Sequence, residues 1–151
     1  MITTEQIKEL RELTGISVMQ CKKALEEAEG DKEKALAILR DKSSAIAEKK
    51  GDRELGAGVV DAYIHSSKTM GTLIELSCET DFVARNEEFM TMARDIAMHI
   101  TAVNPADIAE LLEQPFVKNP DITIKQLTDG GVQKFGEKIV VSRFVRFSVT
   151  K

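Results

Sequence analysis

The chain has 151 residues, 42% hydrophobic and 30% charged, with a net charge of −4. That length holds one ordinary domain or a small core plus a compact module, and mixed charge beside an ordinary apolar content excludes wholesale disorder. No apolar run nears the roughly 18 residues of a membrane span, residues 1–6 resemble neither a signal nor a transit peptide, and two cysteines without a C-x-x-C spacing argue against a disulfide scaffold or zinc ribbon, so a cytoplasmic chain with reduced thiols is expected.

Residues 1–50 read as three short helices. Thr3 and Gln6 form a capping box, in which each side chain satisfies a backbone N–H that the helix start leaves unpaired. Ile7, Leu10 and Leu13 make one apolar stripe, and Gly15 supplies the left-handed stop. Ser17 and Gln20 repeat the capping pattern ahead of Cys21, Ala24, Leu25 and Ala28, with Gly30 closing the run. Asp31 caps a third helix whose Ala35, Leu36, Ile38 and Leu39 face inward. Helices this short are marginal alone, so the three must pack on one another. From Asp41 to Gly58 the pattern weakens, which reads as a linker or as an exposed helix carried on through Lys50. The module is placed at 1–50, the linker at 51–56 and a second unit at 57–151.

In that second unit, residues 59–65 and 71–78 read as the strands of a β-hairpin. Asn86, Glu87 and Glu88 open a helix with a cap and two acids suited to the helix dipole, and Phe89, Ala93, Ile96, Ala97 and Ile100 follow on one face until Asn104-Pro105. A short helix near 107–112 and another over 123–135, stopped by Gly136, come next. Residues 139–149 are dense in β-branched and aromatic side chains and read as a strand, in which Arg143 and Arg146 do not share one alternation, so a bulge or burial on both faces is expected. The fold class is α+β: a three-helix module, then a small core with a three-stranded antiparallel sheet and helices on one face.

Charge is unevenly spread. Residues 1–50 balance ten basic against ten acidic side chains, 51–136 carry seven against fourteen, and 137–151 carry four against one. An acidic middle and a basic end suit a charge-matched protein partner or internal pairing better than a nucleic-acid backbone. No Walker phosphate loop is present, and Gly56-Ala57-Gly58 precedes a strand where a dinucleotide-binding turn would follow one. Cys21, His65, Cys78 and His99 are separated by 44, 13 and 21 positions, which matches no familiar metal-ligand spacing. An enzyme is disfavoured on these grounds.

The segment Glu79-Thr80-Asp81-Phe82-Val83-Ala84-Arg85-Asn86 lies at a strand-to-helix junction. Two readings stay open from pattern alone: Asp81 caps a helical turn with Phe82 buried beneath it, or Phe82 is an exposed aromatic anchor beside a carboxylate. The stretch from Ile74 through Asn86 closely resembles the signature of elongation factor Ts, the guanine-nucleotide exchange factor for elongation factor Tu. Thr14-Gly15 and Cys21-Lys22-Lys23-Ala24-Leu25 resemble the family's N-terminal signature. Ala97-Met98-His99-Ile100, Asn104-Pro105, Glu113-Gln114-Pro115-Phe116 and Arg143-Phe144-Val145-Arg146-Phe147 follow in the family's order.

The resemblance implies a ubiquitin-associated-like helical module docking on the GTPase domain of Tu, and a core approaching that domain and the partner's C-terminal domain. It assigns Thr80, Asp81, Phe82 and Val83 to the intruding element, with Phe82 as a wedge and Asp81 perturbing polar contacts around the partner's Mg2+. In the module it makes Val18, Met19 and Lys22 partner-facing, although Val18 and Met19 sit beside the internal stripe and could instead be core. It implies no catalytic residue, no cofactor and no metal of the chain's own, no direct nucleic-acid or membrane contact, and leaves room for a 2:2 complex through self-association of the core. A module that binds Tu or another GTPase without effective exchange is the second reading, and an enzyme using the cysteines and histidines the third. Relatives commonly carry a long helical insertion where this chain has only Ala106 to Glu113, and Ile16, Ser17, Val18, Gln20 and Ser77 depart from the usual signature residues.

Overall fold

A computed structural model describes residues 1–149. Helix α1 (Thr4–Thr14) starts at a Thr3 cap with the full reciprocal box to Gln6 and ends at Gly15, whose φ of 70° is left-handed. Helix α2 (Val18–Glu27) starts at Ser17, whose hydroxyl accepts from Gln20 N–H; the Gln20 side chain does not return to the cap but pairs with Gln133. Helix α3 (Lys32–Lys49) starts at Asp31, which accepts from the N–H groups of Glu33 and Lys34. Leu10, Ile16, Cys21, Ala24, Leu25, Ala35 and Leu39 form the apolar centre of the three helices. Leu13, expected on the inner stripe, is 57% exposed at a cleft it shares with Leu36 and Leu127.

Helix α3 runs unbroken to Lys49, and one face of its second half is packed while Asp41, Ala45, Glu48 and Lys49 stay exposed. Ser43 is buried there, and Ile46 and Ala47 pack against the second apolar centre. Small polar side chains look solvated in a sequence, but here they let α3 lie against helix α7 (Ile124–Phe135): Ser43 donates to Gln133 and Ser44 to Asp129.

Strands β1 (Ala57–Ile64) and β2 (Met70–Cys78) form the expected hairpin, with Ala57 opposite Cys78 and Ile64 opposite Gly71. Strand β5 (Val140–Ser148) pairs antiparallel on the other side of β2, giving the sheet order β1-β2-β5. The expected bulge falls between Glu75 and Leu76, which face Arg143 and Val141, so Ser142 is the extra residue. Past it, Arg143 points outward to Glu75 at 2.8 Å. Arg146 instead lies on the helix-covered face and donates to Thr101 O, where a cation suits the C-terminal end of a helix.

That helix is α5 (Glu87–Val103), capped by Asn86 and stopped by Asn104 at φ 55°. Its Phe89, Ala93, Ile96, Ala97 and Ile100 meet Ile74, Leu76 and Val141 of the sheet in the second apolar centre. Helix α6 (Ile108–Glu113) follows as expected. The sequence reading lacks the small antiparallel pair β3 (Pro115–Phe116) and β4 (Asn119–Thr123) before α7. Buried His99 anchors it, accepting from Val117 N–H through Nδ1 at 3.2 Å and meeting Gln114 Oε1 through Nε2 at 2.9 Å.

Candidate functional site

Strand β2 ends at Cys78 under the sheet, and the chain turns outward through Glu79 and Thr80 into a single helical turn, α4 (Asp81–Ala84). A four-residue helix cannot persist by its own hydrogen bonds, so its geometry comes from its anchors. Thr80, not Asp81, is the cap: its hydroxyl accepts from Val83 N–H. Val83 is 5% exposed and joins the second apolar centre, whereas Phe82 is 86% exposed. The two apolar neighbours therefore part company, one pinning the turn to the core and the other standing in solvent. Of the two readings left open by the pattern, the exposed aromatic is the one found. Asp81 is exposed beside it, and its carboxylate accepts no hydrogen bond among the described residues.

The loop beneath the turn is held from the far end of the chain. Glu137, just after α7, accepts through Oε1 from Glu79 N–H and Thr80 N–H, each at 3.0 Å, and through Oε2 from the Thr80 hydroxyl at 2.6 Å. In return Glu79 accepts from Lys138 N–H at 2.6 Å and pairs with Arg53. No sequence pattern marked Glu137, because its partners lie 57 and 58 positions away.

The three module residues lie on the outer face of α2: Val18 is 50% exposed, Met19 70%, and Lys22 is also exposed, while Cys21, Ala24 and Leu25 turn inward. Among the described residues none of the three is core. Helix α7 is tied to α2 and α3 through Gln133, which donates to Gln20 and accepts from Ser43.

The cysteines and histidines outside this surface are engaged or buried. Burial pushes both thiols above their ordinary range, Cys21 in the first apolar centre and Cys78 in the second, so neither is an activated nucleophile. His65 meets the Tyr63 hydroxyl, and burial holds His99 below its usual value. No group of three or more His, Cys, Asp or Glu side chains able to hold a metal occurs among the described residues, and no helix there is long and apolar enough to cross a membrane.

The sequence model of the family described as Elongation factor TS matches residues 79–151, beginning at the clamped loop. The elongation factor Ts of Carboxydothermus hydrogenoformans is 44% identical over 194 residues, spanning 99% of this chain and 89% of the relative. That of Thermodesulfovibrio yellowstonii is 44% identical over 98% of this chain and 96% of its own, and that of Desulfotalea psychrophila 40% over 98% of each. These alignments run over more than 190 residues against the 151 of this chain, so each relative carries residues for which this chain has no counterpart.

Proposed function

The chain belongs to the elongation factor Ts family of translation elongation factors, and from that premise we propose that it binds the GDP form of elongation factor Tu and promotes GDP release so that GTP can enter. Residues 1–50 serve as the docking module, with Val18, Met19 and Lys22 facing the GTPase domain. Residues from 57 onward form the core that carries the exchange element and also approaches the partner's C-terminal domain. No covalent bond is made or broken; the nucleotide and Mg2+ belong to the partner, and the site of action is the cytoplasm.

The observation that carries this reading is the exposed Phe82 on its anchored turn. An aromatic ring in water costs free energy that a partner pocket recovers, and a rigid backbone beneath it keeps the ordering cost of binding low. Inserted between elements of the GTPase domain, Phe82 displaces the support of the phosphate loop, while Asp81 brings a carboxylate toward the polar shell of the metal. Thr80 and Val83 act from behind: one caps the turn and the other roots it. Reciprocal linkage follows. Whatever factor by which the chain weakens GDP on Tu, GDP weakens the chain on Tu by the same factor.

Stopped-flow release of labelled GDP from Tu tests this. Catalytic amounts of the chain should accelerate release, and Phe82→Ala should reduce that acceleration on the order of a hundredfold, the scale of an interface hot spot. Near-normal release with Phe82→Ala would remove the wedge role.

For the working complex we propose two copies paired through the core. The sheet face away from α5 presents Val60, Ile64, Leu73, Val145 and Phe147 to solvent, with Phe147 75% exposed. Bare apolar surface of that extent on a sheet invites a cover, and a second copy offers a self-complementary one. Sedimentation of the chain should give a dimer that Phe147→Glu converts to monomer; a wild-type monomer at all concentrations would exclude the pairing.

A further inference from the structure

We propose that Glu137 is a positioning residue for the exchange element, holding the Asp81–Phe82 turn in its partner-engaging conformation before the partner arrives; this rests on the exchange role assigned to Phe82. The geometry is a chelate. One carboxylate oxygen takes two successive backbone N–H groups, Glu79 and Thr80, and the other takes the Thr80 hydroxyl. An ionised acceptor makes each of these bonds stronger than its neutral counterpart.

The Thr80 hydroxyl has two duties that reinforce each other. Because its proton goes to Glu137, its lone pairs are left to accept from Val83 N–H, which is the cap of α4. Loss of the carboxylate frees that proton to rotate and releases the two backbone N–H groups at once. A helix of four residues has few hydrogen bonds of its own to compensate, which leaves the turn rooted by buried Val83 and Ala84 without its polar clamp. Glu79 closes the arrangement from the other side by accepting from Lys138 N–H, so segments 79–80 and 137–138 exchange carboxylates across the base of the tip.

Without the clamp, the tip samples other conformations and each binding event must order it again. Fixing one or two backbone residues is enough to weaken engagement on the order of tenfold. This role needs no contact between Glu137 and the partner, since the carboxylate acts through its bonds to residues 79 and 80.

The test is a double-mutant cycle on labelled GDP release from Tu, using the full chain, with Glu137→Ala, Phe82→Ala and the double variant, and thermal unfolding of each. Glu137→Ala is expected to slow release about tenfold where Phe82 is kept and to add nothing where Phe82→Ala is already present. Should Glu137→Ala fold poorly, Glu137→Gln carries the same cycle. Its amide oxygen still accepts from the two N–H groups while the hydroxyl bond changes sense, so an intermediate loss is expected. A general structural role would slow release equally with or without Phe82, and that result, or an effect of Glu137→Ala under twofold, overturns the proposal. The Phe82→Ala arm reads the underlying exchange role separately: release unchanged by that substitution alone removes both.

Discussion

The module and the core each set apolar side chains in water, and they do it by different means. Met19 stands out from α2, a regular helix whose cap, Ser17, and inner face, Cys21, Ala24 and Leu25, lie within a few residues of it. Phe82 stands out from a single turn whose geometry depends on Val83 below it, Thr80 before it and Glu137 from the far end of the chain. The first presentation is local and tolerant, since the helix would hold its course if any one outer residue changed. The second is tertiary and brittle. The proposed roles match this contrast: a docking surface needs only to be there, whereas a wedge must arrive in one conformation, and the extra anchors lie where position would matter.

The most demanding trial of this contrast places one substitution at two neighbouring positions. Val83→Asp buries a carboxylate without a partner in the second apolar centre and should cost roughly 3 kcal/mol or more of stability, read as the urea midpoint. Phe82→Asp, one residue away, should change stability by no more than about 0.5 kcal/mol. Equal destabilisation by the two would mean that α4 does not divide inside from outside as described. A smaller effect is expected where module meets core. Gln133→Ala removes the acceptor of buried Ser43 and the donor to Gln20, and should cost about 1–2 kcal/mol. Amide exchange should then quicken along the contact of α3 with α7 while the α4 turn, held by Glu137, keeps its protection. Loss of protection at both places would show the tip depending on the module.

How much of this was legible in the sequence follows the same division. Elements whose signals are local were readable: the Thr3 and Thr123 helix starts, the Gly15 and Gly136 stops, the hairpin, and the bulge implied by Arg143 and Arg146. Whatever long-range packing decides was not. The second half of α3 looked solvated because Ser43 and Ser44 are polar, and it is α7 that supplies their hydrogen-bond partners and covers Ser43. Leu13 kept helical spacing with Leu10 yet ended exposed, at a cleft it shares with Leu36 of α3 and Leu127 of α7. At the tip, Thr80, Asp81, Phe82 and Val83 were identified as a group by family resemblance. Which of them point outward follows from Val83 joining the second apolar centre while Phe82 stays in solvent, a choice between two adjacent apolar residues that the local pattern leaves open.

Acid should separate the two regions by the least, and through one residue. Both histidines lie beyond the module, and of these His99 is the buried one, with Nδ1 accepting from Val117 N–H and Nε2 facing Gln114 Oε1. Only the neutral ring with its proton on Nε2 satisfies both neighbours, and burial lowers its pKa below the ordinary 6.5. The unfolded chain therefore takes up a proton near 6.5 that the folded chain still refuses, so stability falls as pH drops below 6.5 and levels once the folded ring titrates. Above 6.5 the residue adds no slope, and below it the slope cannot exceed about 1.4 kcal/mol per pH unit for one proton. Urea midpoints of the wild type and His99→Gln should therefore converge as pH falls through this window. The first amides to lose protection should be those of β3, β4 and α6, while α1 and α2 stay as they were. Parallel midpoint curves would show that His99 does not set the acid limit of the core, and the contrast between a locally built module and a tertiary core would then lose its pH signature.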